Sequence, residues 1–224
     1  MKKTILLIFS ILFLVSFQKK DTLPNGFSYV DNKLPTIITE IRYHSKDNFV
    51  GKKIDGYEKS ICILTNEAIA ALDKIQKELI TKNLGLKIYD GYRPQQAVNE
   101  FVRWARVLND TIMKQKYYPN VKKKNLFRDG YIASKSGHSR GSTVDVTLVN
   151  FETGEELDMG SPWDFFGKES WVKNPNLTPK QKKNRQTLQK IMNKHGFRSY
   201  SKEWWHFTLK NEPYPKTYFN FPVK

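Results

Sequence analysis

Cysteine is almost missing from this chain of 224 residues: Cys62 is the single one. That excludes an internal disulfide framework, a multi-cysteine zinc site and a cysteine-bound iron–sulfur cluster. Acidic side chains are also scarce, 22 against 38 basic ones, so the formal charge is +16. Internal repeats are absent, as is any long Gly/Ser-rich or Pro-rich linker. Histidine occurs only four times. Past residue 18, no apolar stretch is long enough to span a bilayer. What is present is enough for a packed core: 39% hydrophobic and 13% aromatic residues argue against disorder despite the charge. The length fits one domain, expected from about residue 22 to 224.

The first 18 residues read as a separate object. Lys2 and Lys3 precede an uncharged apolar run over 5–17, the pattern of an export signal. The segment Val15-Ser16-Phe17-Gln18 lacks a clean small-residue cleavage triplet, so an uncleaved N-terminal anchor is the second reading. No cysteine follows the run to carry a lipid. The expected location is the periplasm or the cell envelope. Removing residues 1–18 leaves a charge of +14.

Ile69, Leu72, Ile75, Leu79 and Ile80 recur at helical spacing over 66–82, with Thr65 as N-cap. Residues 86–89 read as a strand, and Asp90-Gly91-Tyr92-Arg93-Pro94 as a turn into a second helix. That helix is expected to reach about residue 113 and to bury Ala97, Phe101, Trp104, Leu108 and Ile112. Residues 143–148 alternate, with Thr143, Asp145 and Thr147 on the polar face of a half-buried strand. Thr178-Pro179 opens a further helix that Gly196 closes, and Trp205, Phe207 and Leu209 alternate with His206 and Thr208 in a last strand. Helices early and strands late favour an α+β fold: a small antiparallel sheet flanked by helices, with a metal site in a cleft on the sheet.

His44, in a polar stretch, and His195, at a helix end, have good structural explanations. His138 and His206 differ. A turn at Gly141 brings His138 beside Asp145, and a bend at Trp204 would point both Glu203 and His206 into one cleft. Two imidazoles and a carboxylate suit a tetrahedral zinc with an open position, with Glu203 as a non-ligand base. On spacing alone, two ordinary polar strand faces explain these residues as well.

The pattern Ser-x-His-x-x-Gly-x-x-x-Asp from Ser136 to Asp145, with Glu203-Trp204-Trp205-His206 some sixty residues later, resembles the zinc D,D-peptidases. Tyr89-Asp90-Gly91-Tyr92-Arg93-Pro94 and Met159-Gly160-Ser161-Pro162-Trp163-Asp164 are similar to the VanX-type D-alanyl-D-alanine dipeptidases within them. The resemblance implies one zinc ion per chain on His138, Asp145 and His206, with Glu203 as catalytic base. It implies that Arg93 stabilises the oxyanion, that Asp164 holds the substrate's ammonium, and that Ser136 and Tyr43 contact its N-terminal residue. A salt bridge to Asp90 is the structural alternative for Arg93. Thr143 departs from the family, where alanine is frequent. Beside Asp145, it would crowd the site or hydrogen-bond to a metal ligand. The aromatic residues Trp204, Trp205, Phe165 and Phe166 flank the expected site, and Cys62 reads as a buried small hydrophobe.

The implied function is hydrolysis of the small dipeptide D-Ala-D-Ala. A D,D-carboxypeptidase acting on peptidoglycan stems would share the metal site. A non-catalytic binder of anionic envelope polymer is the reading from another class. It rests on two acid-free segments: 114–128 with six basic residues and 173–198 with eight. Neither carries a nucleic-acid-binding motif, so no nucleic-acid partner is expected. Peripheral association with an anionic envelope is the role this charge suggests.

Overall fold

The computed structural model describes residues 23–224. The expected export signal, residues 1–18, lies outside the described residues.

A strand pair of β1 (Phe27–Tyr29) and β3 (Ile63–Thr65) leads into the first long helix. A single turn, α1 (Val30–Lys33), and the short strand β2 (Ile38–Thr39) lie between them. The Thr65 hydroxyl accepts the Ala68 N–H, capping α2 (Asn66–Ile80) as its sequence dictates. The apolar face of α2 buries Ile69, Leu72, Ile75 and Leu79. β4 (Leu84–Asp90) follows, then α3 (Gln95–Arg106), the short α4 (Lys114–Tyr117), and β5 (Thr143–Asn150). A capping box of Thr178 and Gln181 opens α5 (Pro179–Lys194), after which β6 (Phe197–Tyr200) and β7 (Glu203–Leu209) form a hairpin.

The main sheet has the order β2-β4-β5-β7-β6. All its pairs are antiparallel except β2 with β4, which is parallel. The architecture is α+β, as the order of elements predicts, with one parallel edge pair that the sequence pattern does not reveal.

Two expectations need correction. The second helix stops at Arg106 instead of running to about 113. Leu108 and Ile112 are 54% and 80% exposed. Helical spacing continues past Arg106, but Asn109-Asp110 supplies turn chemistry, and the Asp110 N–H bonds back to Val107. In addition, β5 is not half-buried. Thr143 through Val149 are all buried, because the strand lies between β4 and β7 with both faces covered. Of its two threonines, Thr143 is satisfied internally, its hydroxyl 2.9 Å from that of its cross-strand partner Thr208, whereas the buried Thr147 hydroxyl has no partner among the described residues.

Two irregularities of the sheet shape one spot. The β4–β5 register shifts between Ile88 and Asp90, which sets Asp90 opposite Asp145. Asp145 is in turn opposite His206 on β7. The β6–β7 register breaks between Ser199 and Tyr200, so that Tyr200 pairs with Glu203. In an unbroken strand, residues three apart face opposite ways. This break lets Glu203 and His206 share a side.

Gly141 ends the one-turn 3-10 helix Gly137–Arg140 in the left-handed region, at φ 83°. A Cβ there would come within 2.2 Å of the Phe27 ring and 3.1 Å of Thr65. Gly141→Ala should therefore cost about 2–4 kcal/mol, combining backbone strain with overpacking. Urea denaturation of the metal-free protein measures this, and an unchanged midpoint would contradict the packing described.

Candidate metal centre and catalytic cleft

The site occupies one row of the sheet. Asp90, Asp145 and His206 are successive cross-strand neighbours on β4, β5 and β7, and so share one face. His138 arrives from the 3-10 turn before β5, its backbone N–H received by the Ser136 hydroxyl at 3.3 Å. His138 Nδ1 lies 2.7 Å from the Gly91 carbonyl, to which it donates. The other nitrogen, Nε2, is then left with its lone pair facing inward.

His138 Nε2, His206 Nδ1 and Asp145 Oδ1 form a nearly equilateral triangle. Its edges are 3.3 Å between the imidazoles and 3.2 and 3.1 Å from them to the carboxylate. Tetrahedral zinc with ligand bonds of about 2.0–2.1 Å spaces its donor atoms about 3.3 Å apart. Asp145 Oδ1 is buried and receives no hydrogen bond from the described residues. Among the described residues this is the one cluster of three or more such groups close enough to hold a metal ion. Donor type, spacing and the orphaned oxygen all fit a metal ion.

For two of the three groups, Asp145 and His138, the charge state suits a metal ligand. Burial alone would raise the Asp145 carboxyl, but the two imidazoles more than offset it and hold it well below the usual range. Burial lowers His138, which favours the neutral, ligating ring. Trp163 Nε1 donates to the other carboxylate oxygen, Asp145 Oδ2, at 3.2 Å. Arg93 does two things at once. Its Nε and one terminal nitrogen each lie 2.9 Å from Asp90 Oδ2, and that same terminal nitrogen is 3.7 Å from Asp145 Oδ2. The salt bridge to Asp90 and a place at the cleft are thus one arrangement. Tyr57 donates to Asp90 at 2.6 Å from the far side.

Glu203 Oε2 lies 3.4 Å from His206 Nδ1, beside the triangle but outside it. Burial raises its carboxyl to about 7, with His206 opposing the shift. Asp164 sits at φ 61°, an uncommon backbone for a non-glycine residue, which turns its side chain toward the Tyr43 hydroxyl at 2.6 Å. Burial pushes the Asp164 carboxyl well above the carboxylate range. All eight residues expected from the sequence line a single cavity of ≈ 300 Å³. That volume is at the small end for ligand pockets.

Of the other expectations, His44 meets the Glu58 carbonyl at 3.2 Å and His195 meets Glu78 at 3.0 Å, both away from the cleft. Phe166 lines the cavity, whereas Trp204 and Trp205 are core residues. The Thr143 hydroxyl pairs with Thr208 and not with His138, Asp145 or His206. It crowds position 137 instead: a Cβ on Gly137 would sit 2.7 Å from the Thr143 hydroxyl, and glycine removes the conflict. Sequence reasoning gave no role to Trp163. Its place beside Asp164 in a recognised motif was the available signal.

Converging lone pairs with no donor between them, next to a raised carboxyl group, are the equipment of a metal-dependent hydrolase. Residues 24–224 match the peptidase M15 family model, described as D-ala-D-ala dipeptidase. The chain belongs to this family. It is 45% identical over 199 residues to a D-alanyl-D-alanine dipeptidase of Enterococcus faecalis, spanning 89% of this chain and 98% of that protein. Identity to the Streptomyces coelicolor dipeptidase is 42% over 197 residues, 88% of this chain and 98% of the other. To that of Escherichia coli it is 35% over 175 residues, 78% and 80%. Among solved structures, the vancomycin resistance D,D-pentapeptidase VanY in complex with Zn(II) aligns with a TM-score of 0.41 and 11% identity. That alignment covers 70% of this chain and 78% of VanY.

Trp163→Phe removes the indole donor while keeping most of the packing. It should weaken zinc binding about 10- to 100-fold. Competition against a chromophoric chelator measures this, and wild-type affinity would show that the indole hydrogen bond does not hold Asp145 in place.

Proposed function

We propose that this chain hydrolyses D-Ala-D-Ala to two D-Ala, using one zinc ion per chain held by His138, Asp145 and His206. The observation that carries the reading is the triangle of donor atoms with Glu203 beside it, in a chain of the dipeptidase family. When bound, the zinc ion supplies Lewis acidity for the scissile carbonyl and lowers the pKa of a water.

The chain's own groups do the rest. Glu203, raised to about 7 by burial, takes a proton from the attacking water and passes it to the leaving amine. A carboxyl poised near neutrality does both with little penalty. Arg93 is permanently charged and pinned by Asp90, so its guanidinium is preorganised toward the oxygen on which negative charge develops. Asp164 takes the substrate's free ammonium. That cation restores the ionised carboxylate which burial disfavours, so this end of the cavity selects for a positive group. Tyr43 holds Asp164 in place, and the Ser136 hydroxyl, which accepts from His138, keeps its own proton free to donate to substrate.

A buried anion placed to receive an α-ammonium favours a free dipeptide over a stem peptide, whose corresponding nitrogen is an amide. The polymer-binding reading loses part of its basis. Within the two acid-free segments, Lys114, Lys123 and Arg185 donate to backbone carbonyls, while Lys116, Lys194 and Arg198 pair with carboxylates. Lys182, Lys183 and Lys190 remain exposed on α5 without an ion pair among the described residues. We assign these to peripheral association with an anionic envelope. Lys2, Lys3 and the apolar run over 5–17 support export to that envelope.

Glu203→Gln should lower kcat on D-Ala-D-Ala about 10²- to 10⁴-fold at unchanged zinc content. Rate measurements paired with metal analysis check this, and a wild-type rate would remove Glu203 from its role. Asp164→Asn should raise KM for D-Ala-D-Ala at least about tenfold, as expected for losing a charged hydrogen bond. An unchanged KM in steady-state assays would place the ammonium elsewhere.

A further inference from the structure

A dipeptide brings two charges into the cleft, and Asp164 receives only one of them. Asp164 takes the ammonium. The terminal carboxylate needs a cation or strong donors, and three of the cavity's charged groups are themselves carboxylates: Asp145, Asp164 and Glu203. Two cationic side chains line it, Arg93 and Lys135. Arg93 is committed to Asp90. Lys135 forms no ion pair among the described residues.

Lys135 is exposed, with its backbone held by the turn it precedes. It directly precedes Ser136, the residue that caps the turn carrying His138, so its backbone is tied to the metal centre. Its ammonium lies 4.9 Å from the Tyr218 ring centroid. The Arg140 guanidinium lies 5.7 Å from the same ring and is clamped by Glu212 through two hydrogen bonds, at 2.7 and 2.8 Å. An aromatic face restrains a lysine head without neutralising it, which leaves the charge available to a ligand.

We propose that Lys135 binds the terminal carboxylate of the substrate and, with Asp164, restricts the cleft to a zwitterion two residues long. This rests on the dipeptidase reading above. A third residue at the C-terminal end would move the carboxylate off Lys135, just as one at the N-terminal end would remove the ammonium from Asp164. Length selection then comes from two opposite charges at fixed places in a small cavity.

The test uses the zinc-loaded full chain and two ligands that resist hydrolysis: the ketomethylene isostere of D-Ala-D-Ala and its C-terminal carboxamide. Calorimetry gives their affinities for wild type, Lys135→Ala and Lys135→Arg, and steady-state assays give KM and kcat for D-Ala-D-Ala. Lys135→Ala should weaken the free acid about 10- to 100-fold, as for a charged hydrogen bond. It should leave the carboxamide within about twofold, and Lys135→Arg should recover most of the loss. In turnover the loss should appear in KM, with kcat nearly unchanged. Equal affinity of wild type and Lys135→Ala for the free acid overturns the proposal, as does equal weakening of acid and amide. If wild type fails to cleave D-Ala-D-Ala, the dipeptidase reading falls separately, because the binding measurements still decide the role of Lys135.

Discussion

A buried carboxylate governs this structure. Asp145 lies on the central strand of the main sheet, and removing a charge from water costs several kcal/mol unless it is met by partners. Each neighbour answers that cost in a different way. Trp163 donates to one oxygen, and Arg93 lends long-range positive charge. The other oxygen is left to two imidazole nitrogens and whatever cation they hold together. Asp90, a second carboxylate directly across the ladder, would aggravate the problem. Arg93 neutralises it, which fixes the guanidinium at the cleft, and Tyr57 donates a hydrogen bond to its other oxygen.

The rest of the fold keeps that cluster in register. The central position of β5 shields Asp145 on both faces, and the β4 bulge brings Asp90 level with it. The break in the β6–β7 hairpin turns Glu203 to the side of His206. Gly141 closes the turn so tightly against Phe27 that His138 reaches the Gly91 carbonyl. The three donor residues of the triangle thus come from two strands and one short turn, which suits spacings near 3.2 Å.

Legibility in the sequence followed the range of each interaction. The capped face of α2 and the capping box of α5 are local, and Thr65, Thr178 and Pro179 announce them. The His138–Gly141–Asp145 unit is also local, and its motif was readable together with the distant His206. The end of α3 was not, because Leu108 and Ile112 continue an apolar spacing that the Asn109-Asp110 turn interrupts. Full burial of β5 depends on which strands flank it, and alternation of side chains is silent on that. The partnership of Trp163 with Asp145 and the shared side of Glu203 and His206 depend on packing and on a register break. Neither has a period. Thr143 drew attention as a departure beside the metal aspartate, yet its consequence falls on Gly137, six residues earlier.

The positive charge that marks the composition is only partly a surface property. Arg185 and Lys123 spend theirs on backbone carbonyls inside the molecule, and the exposed remainder on α5 lies apart from the cleft. Within the cleft the balance reverses, three carboxyl groups standing against Arg93 and Lys135. Anomalous diffraction at the zinc edge, from crystals of the zinc-loaded protein, tests this account most directly. One strong peak is expected, bonded to His138 Nε2, His206 Nδ1 and Asp145 Oδ1, with Glu203 outside bonding distance. A peak elsewhere, or direct ligation by Glu203 in place of Asp145, would contradict it.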